Sequence, residues 1–467
     1  MGSINSMMDI ARQALMADQG ALNVTSNNVA NQNTAGYTRE VVNFAAMDAV
    51  TLSGGTFGAG VTSSAASQRD RVLEQRVQQQ TQTQAQSAAL ESALQQVQNV
   101  FGVSSNMQSA TSTALGTATN SFFNALSALA SNPSDTATRQ SVLAAATALA
   151  SAFNSSSAQL SQVSSSLNQQ VVSDVSQVNS LTSTIASLNG KISSLSPNAD
   201  AGTLEDQRQL AITQLSQLVG LDQISTEDNG ITLTTSSGAV LVSGSQSFAM
   251  STTSLGGAEH ILAGVDGTDV TSNLTGGDLG GVLMARDQQL PSYQSSLDTL
   301  AYAIGTQVNQ QNTLGIDGNG NPGAALFSLP PTTSGAAALI QVATTDPNAI
   351  AAAAPGEGSA GNTNASALAD LANAGIAGGQ TPSSFLASFF GQVGSDVSSA
   401  TSDNNAQLTT LTQLTTQRDS LSGVSLDEEA ANLTQYQKAY QAAAEVFNIG
   451  NSVMASAINL GVETAVN

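Results

Sequence analysis

Residues 426–458 constrain the fold most, because their apolar and small side chains recur at alternating steps of four and three. This spacing predicts one long helix with a heptad seam. The seam consists of Leu426, Ala430, Leu433, Gln437, Tyr440, Ala444, Phe447, Asn451, Met454 and Ile458. A second, offset stripe passes through Tyr436 and Ala443. The apolar arc is wider than one partner helix covers, so this helix needs more than one neighbour.

The first thirty residues have a matching pattern, which predicts an amphipathic helix that pairs with the C-terminal one. Two interpretations stay open: two helices of one intramolecular bundle, or chain ends that pack against other subunits. Periodicity alone does not choose between them. In the second case the interface residues are Ile4, Met8, Leu15, Leu22, Val29, Leu426, Leu433, Tyr440, Phe447, Met454 and Ile458.

The composition excludes several classes of protein. A formal charge of −22, from 11 Lys and Arg against 33 Asp and Glu, argues against binding to nucleic acid or to an anionic membrane. The absence of Cys excludes disulfides, thiolate metal sites and a Cys nucleophile. We expect neither a Sec-type signal peptide nor a membrane span, because no apolar run reaches about 18 residues.

Between the termini, helical periodicity predicts one helix over about 68–101 and another over 203–219. Between them it predicts a helix hairpin that contains a rod-like helix about 80 Å long, which ends at residue 190. Alternation predicts short antiparallel strands from 231 to about 274. The expected fold is mainly α with inserted β: terminal helices in 1–60 and 425–467, a helical rod domain in 61–222 and 282–424, and a small β domain in 223–281. Residues 313–381 are expected to be loops and short strands.

Candidate catalytic and metal-binding residues are few. The single His, His260, lies in the β segment without a nucleophile motif, so a structural or solvated role is expected. The calcium-like run from Asp317 has Pro322 where the loop needs Gly, which indicates a turn. The carboxylate pairs 205–206 and 428–429 stand at predicted helix starts, where the helix dipole favours negative charge. We therefore predict no enzyme activity, no cofactor and no metal.

A polar segment follows the first helix and predicts a helix end and a turn. It contains Ala30, Asn31, Thr34, Gly36, Tyr37 and Arg39. In these residues the chain resembles bacterial flagellar rod, hook and hook-associated proteins, although Ala35 stands where that family usually has Pro.

Three further stretches, 204–220, 279–298 and 422–433, resemble the hook-associated protein 1 (FlgK) family of hook–filament junction proteins. The resemblance implies a ring of subunits between hook and filament, built through terminal helices and exported to the extracellular flagellum through the flagellar type III apparatus. It implies as partners other copies of the chain, the hook protein, the next hook-associated junction protein and through it flagellin, and an export chaperone. The alternatives are a self-contained secreted helical adhesin or surface hydrolase, or another axial protein.

Overall fold

The computed structural model describes residues 2–52, 55–102, 113–195, 201–225, 230–264, 266–358 and 360–463 of the 467-residue chain. Long helices alternate with small antiparallel sheets, which confirms the expected mainly α fold with inserted β structure. In these ranges no helix is long and apolar enough to cross a bilayer.

The chain opens with helix α1 (Gly2–Asn31) and continues into four short strands. These are β1 (Glu40–Ala46), β2 (Val50–Leu52), β3 (Gly55–Phe57) and β4 (Val61–Ser67). β1 pairs with β4 and β2 with β3, both antiparallel. The helix expected over the first thirty residues is α1, whereas the strands in the rest of the range 1–60 were not predicted. The strand signal is weak in this Gly- and Ser-rich sequence, and packing of β4 on α1, with Ser63 beside Gly20, supports the pairing.

The described residues between 71 and 422 form the helical body, which begins with four helices. These are α2 (Arg71–Phe101), α3 (Ala114–Ser131), α4 (Thr136–Ser193) and α5 (Gly202–Leu218). α4 begins after Asp135, whose carboxylate accepts hydrogen bonds from the backbone of Ala137 and Thr138. Its 58 residues make it about 87 Å long. Its predicted seam is the centre of the core, where Leu149 and Phe153 are fully buried.

Seven short strands follow and form two antiparallel sheets, ordered β5-β6-β7-β8 and β11-β10-β9. The strands are β5 (Leu221–Ser225), β6 (Ile231–Thr235), β7 (Val240–Ser243), β8 (Gln246–Ser247), β9 (Ser251–Leu255), β10 (Ala258–Ala263) and β11 (Thr268–Asp269). The predicted β segment is present, but it begins two residues before 223 and ends before α6 at Gly277. Asn179 of α4 fixes it to the body by exchanging two hydrogen bonds with the backbone of Met250.

The next part of the body is helical, then irregular. It contains α6 (Gly277–Met284), a π-helical turn (Ala285–Gln289), α7 (Leu290–Thr313), β12 (Phe327–Ser328), α8 (Ala336–Leu339), β13 (Gln341–Val342) and α9 (Thr363–Asp370). The expected loops and short strands of 313–381 are present, together with two short helices that lack a clear apolar period.

α10 (Pro382–Ser422) completes the body, and α11 (Leu426–Glu463) follows after a break at 423–425. α11 packs against α1, which confirms that the two chain ends pair. The pair is antiparallel: Met8 lies against Gly450, while the opposite end of α1 is joined to the start of α11 through Arg39. We call α1 and α11 the terminal helix pair. Among the described elements, neither helix packs along a helix of the body.

Candidate assembly surface and joint

The predicted interface residues on α1 are only partly covered by the terminal helix pair. Ile4, Met8, Leu15 and Leu22 are half-buried, and Val29 is exposed. The residues of α1 that are buried are Ala11, Ala17, Ala21, Thr25 and Asn28. α1 therefore packs inward through small and polar side chains, while its larger apolar side chains keep surface available for a further partner.

The predicted interface residues on α11 behave in the same way. Leu433, Phe447 and Met454 are half-buried against the pair, whereas the other three are exposed. The exposed three are Leu426, Tyr440 and Ile458. Within residues 426–459 only Glu429 and Gly450 are buried. α1 thus covers only part of the predicted seam.

A further apolar seam on α11 was missed by the sequence analysis. Ala442, Val446, Ile449 and Val453 follow one another at steps of four, three and four. Val446, Ile449 and Val453 are 44%, 53% and 45% exposed, so α1 does not cover them. The same heptad spacing predicts this seam once α1 is known to occupy the other one.

An open, mainly apolar groove runs beside this seam, between the two helices. Met7, Ile10 and Ala14 line it from α1, and Ala443 and Val446 line it from α11. We call the exposed seam and this groove together the terminal apolar surface. A continuous surface of this kind is typical of a protein–protein interface.

The polar segment after α1 forms the predicted turn. The backbone N–H of Thr34 donates to Asn31 O at 2.8 Å, and that of Tyr37 donates to Thr34 O at 3.1 Å. Gly36 has a φ of +80°, a left-handed conformation that favours glycine. The exposed Ala30 precedes the turn. The motif residues therefore reverse the chain from α1 towards β1.

Two successive residues after the turn bind two different helices. Tyr37 Oη donates to Asn28 Oδ1 on α1 at 2.8 Å. The Thr38 backbone N–H donates to Asp206 Oδ2 on α5 at 3.0 Å, and Arg69 forms an ion pair with the same carboxylate. Burial raises the pKa of Asp206, and the hydrogen bonds from Thr38 and the charge of Arg69 oppose that shift.

Arg39, the third residue, binds the start of α11. Its Nη1 lies 2.7 Å from Glu428 Oε2, and its Nε lies 2.8 Å from the buried Glu429 carboxylate. Its backbone N–H donates to Ser422 O at 2.9 Å, and its carbonyl accepts from the N–H of Gln68 at 2.8 Å. Arg39 therefore contacts both places where the chain crosses between the terminal helix pair and the body.

Two weaker ion pairs extend this cluster: Arg69 to Glu205 at 3.8 Å, and Arg418 to Glu74 at 4.0 Å. Burial raises the pKa of Glu74, and Arg418 opposes that shift. The sequence analysis assigned the acidic pairs of α5 and α11 to the helix dipole alone, and it gave no contact role to Asn28, Thr38 or Arg69. Only the folded chain brings these residues together. We call residues 37–39 and their partners the joint; the partners are Asn28, Arg69, Glu205, Asp206, Glu428 and Glu429.

The candidate catalytic and metal-binding residues have structural contacts. His260 Nδ1 lies 2.7 Å from Asp269 Oδ2 on the neighbouring strand. Hydrogen bonds from Thr271, with a smaller contribution from His260, lower the pKa of Asp269 to about 2. Asp317 accepts from the backbone of Asn319 at 2.9 Å, as in a turn. In the described part of the chain, no three His, Cys, Asp or Glu residues are grouped to hold a metal ion.

Comparisons with known families follow the same division of the chain. Residues 94–327 match the family described as "Flagellar hook-associated protein FlgK helical domain". Residues 8–38 match "Flagella basal body rod protein", and residues 416–460 match "Flagellar basal body rod FlgEFG protein C-terminal". The two terminal matches contain most of the terminal helix pair.

Full-length relatives agree with these families. The chain is 30% identical to flagellar hook-associated protein 1 of Bacillus subtilis over 502 residues, which cover 97% of each chain. It is 27% identical to the Escherichia coli protein of the same name, covering 98% of this chain and 100% of that one. The solved structure of the flagellar hook junction protein FlgK from Burkholderia pseudomallei shares the fold, with a TM-score of 0.67 at 22% identity, and covers 74% of this chain and 100% of its own. The chain belongs to the flagellar hook-associated protein 1 (FlgK) family.

Proposed function

We propose that this chain is a structural component of the bacterial flagellum that joins the hook to the filament, and that it assembles as a ring of subunits through the terminal helix pair. The terminal apolar surface carries this proposal. A self-contained adhesin or hydrolase would not need two long helices that bury mainly small side chains and leave Ile449 and its neighbours exposed.

The proposed partners follow from this surface. Other copies of the chain cover the exposed seam of α11 around the ring. The hook protein and the next hook-associated junction protein bind the two sides of the ring, and flagellin binds through the latter. We propose a role without catalysis, in which matched packing joins two unlike tubes.

We further propose that the chain is exported through the flagellar type III apparatus, with the help of an export chaperone, to the extracellular flagellum. The absence of Cys suits a chain that crosses the envelope unfolded. The terminal helix pair with β1–β4 would form the assembly domain, covering about 1–67 and 426–467. The helical body would form the outer part, with the β segment of 221–269 fixed on α4.

Replacing Ile449 by Asp tests the proposed interface. Ile449 is 53% exposed, so the charge should leave the thermal unfolding of the free chain unchanged. In the ring the same charge would be buried without a partner, so filaments should no longer attach to hooks. The measurement is electron microscopy of flagella from a strain that lacks the native protein and carries the variant.

Leu255→Asp is the matched control, because Leu255 is an equally apolar, 65% exposed residue on β9, outside the terminal helix pair. It should leave attachment intact. Normal attachment with Ile449→Asp would show that this surface is not the interface. Loss of the thermal transition with Ile449→Asp would assign the residue to the fold of the free chain instead.

A further inference from the structure

The terminal helix pair meets the helical body at a narrow place. Among the described elements, α1 packs on α11, β1 and β4, and α11 packs along α1, so neither helix lies along a helix of the body. The chain crosses between the two parts twice, at residues 68–70 before α2 and at residues 423–425 after α10. Two short crossings alone would leave the pair free to swing.

The joint lies at both crossings. The Arg39 backbone donates to Ser422 O at the end of α10 and accepts from Gln68 N before α2. Its side chain, 16% exposed, binds Glu428 and Glu429 just beyond the second crossing. On the other side, Asp206 Oδ2 accepts from the backbone of Thr38. The same carboxylate forms an ion pair with Arg69, which lies in the first crossing.

Charge is concentrated here to an unusual degree for this chain. Two of its 11 Lys and Arg residues, namely Arg39 and Arg69, form four ion pairs between elements that are distant in sequence. Arg69 and Asp206 are each only 11% exposed at their side chains. Partly buried, charge-assisted hydrogen bonds of this kind are directional, so they fix an orientation as well as a contact.

We propose that the joint is a latch that holds the terminal helix pair at one angle to the helical body. Arg39 and Asp206 are its positioning residues: Arg39 binds the helix pair, Asp206 binds from the body, and segment 37–39 connects them. Only the role of the latch rests on the proposed function: it makes every subunit present the terminal apolar surface in the same direction. Three of the stretches that carry the family resemblance, 30–39, 204–220 and 422–433, contribute residues to the joint.

The test measures the angle directly in the free chain. Because the chain has no Cys, Ser180→Cys on α4 and Gln435→Cys on α11, both at exposed positions, accept two spin labels and no others. Pulsed electron–electron double resonance gives the distribution of distances between the two spin labels. The otherwise unchanged chain should show one narrow peak. Arg39→Gln and Asp206→Asn, which remove charge but nearly keep size, should each broaden it, and the double variant should lose the narrow peak.

Arg12→Gln and Asp269→Asn are the matched controls, because they make the same chemical changes in pairs that do not cross the joint. They should keep the narrow peak. A narrow peak in the double joint variant, or a broad one in the unchanged chain, would overturn the proposal. So would loss of the thermal transition in the single variants, since it would assign the two residues to the fold of the body. The result does not depend on assembly, which the Ile449→Asp experiment tests separately.

Discussion

At the scale of single residues, the most unusual group is Asp174, which is buried in the middle of α4. Burial, together with the negative charge of Asp278 and a hydrogen bond to it, raises the pKa of Asp174 to about 8. Asp278 stands in the first turn of α6, and its carboxylate accepts from Gln170 Nε2 at 2.6 Å. At neutral pH, Asp174 therefore keeps a proton that it can donate to Asp278.

This shift predicts how stability changes with pH. The folded chain binds the Asp174 proton more tightly than the unfolded chain, whose carboxyl has its ordinary pKa of 3.8. The contribution of Asp174 to stability therefore falls as pH rises from 3.8 to about 8, and then stays constant. Asp174→Asn stays neutral, and its amide can still donate to Asp278. The variant should match the parent near pH 4, with a gain in Tm that grows to a maximum above pH 8.

Thermal unfolding followed by circular dichroism over this pH range measures the effect. Asp403→Asn, at an exposed position on α10, is the control for loss of one carboxylate and should follow the parent profile. A constant Tm difference between Asp174→Asn and the parent at every pH would show that Asp174 is ionised in the fold.

The hydrogen-bond partners of four Asn residues in α4 could not be predicted from the sequence. Asn154, Asn168, Asn179 and Asn189 of α4 each directly follow a residue of its apolar seam. In the fold each donates from Nδ2 to backbone carbonyls of the short helix α8, the strands or the loops packed on α4. A side-chain amide can form the hydrogen bond that a neighbouring strand would otherwise form with a backbone carbonyl. Only the folded chain shows which carbonyl that is.

At the scale of elements, periodicity predicted the long helices well, because a heptad seam over many turns has few other solutions. The strands β1–β4 were missed, because they are short and their pairing depends on α1. The contact between α6 and α2 was not predicted from the sequence either, although Gly280 and Gly281 lie in the stretch 279–298 that resembles the family.

That contact gives a prediction for helix packing. A Cβ on Gly281 would lie 2.3 Å from Gln86 O and 2.7 Å from Ala89 Cβ on α2. Gly281→Ala should therefore force the helices apart and lower the free energy of unfolding by roughly 1–3 kcal/mol, as overpacked sites do. Denaturant unfolding measures the change. In the control Gly391→Ala on α10, a Cβ meets nothing within 4 Å, and helix propensity should raise stability by up to about 1 kcal/mol. Equal effects of the two substitutions would contradict close packing at Gly281.

At the scale of the whole molecule, the chain consists of a well-packed body and a terminal helix pair with little core. α4 fully buries Val142, Leu149, Phe153 and Ile185, whereas α11 buries no large apolar side chain within residues 426–459. Pairing of the chain ends followed from the sequence. The joint did not, because its ion pairs connect residues up to 390 positions apart, and no local pattern encodes such a contact.

This contrast predicts that the terminal helix pair is marginally stable until subunits assemble. Isolated helices depend on tertiary burial, and α1 provides mainly small side chains, so amides of residues 433–454 should exchange hydrogen much faster than those of residues 149–185 in α4. Hydrogen exchange followed by mass spectrometry on dilute free chain gives the comparison. In assembled junctions the same amides of α11 should become protected, because neighbouring subunits cover Val446, Ile449 and Val453. The residues of α4 are the internal control, since their protection should not change on assembly. Protection of 433–454 equal to that of α4 at low concentration would mean that α1 alone stabilises α11, and the terminal helices would then be complete without partners.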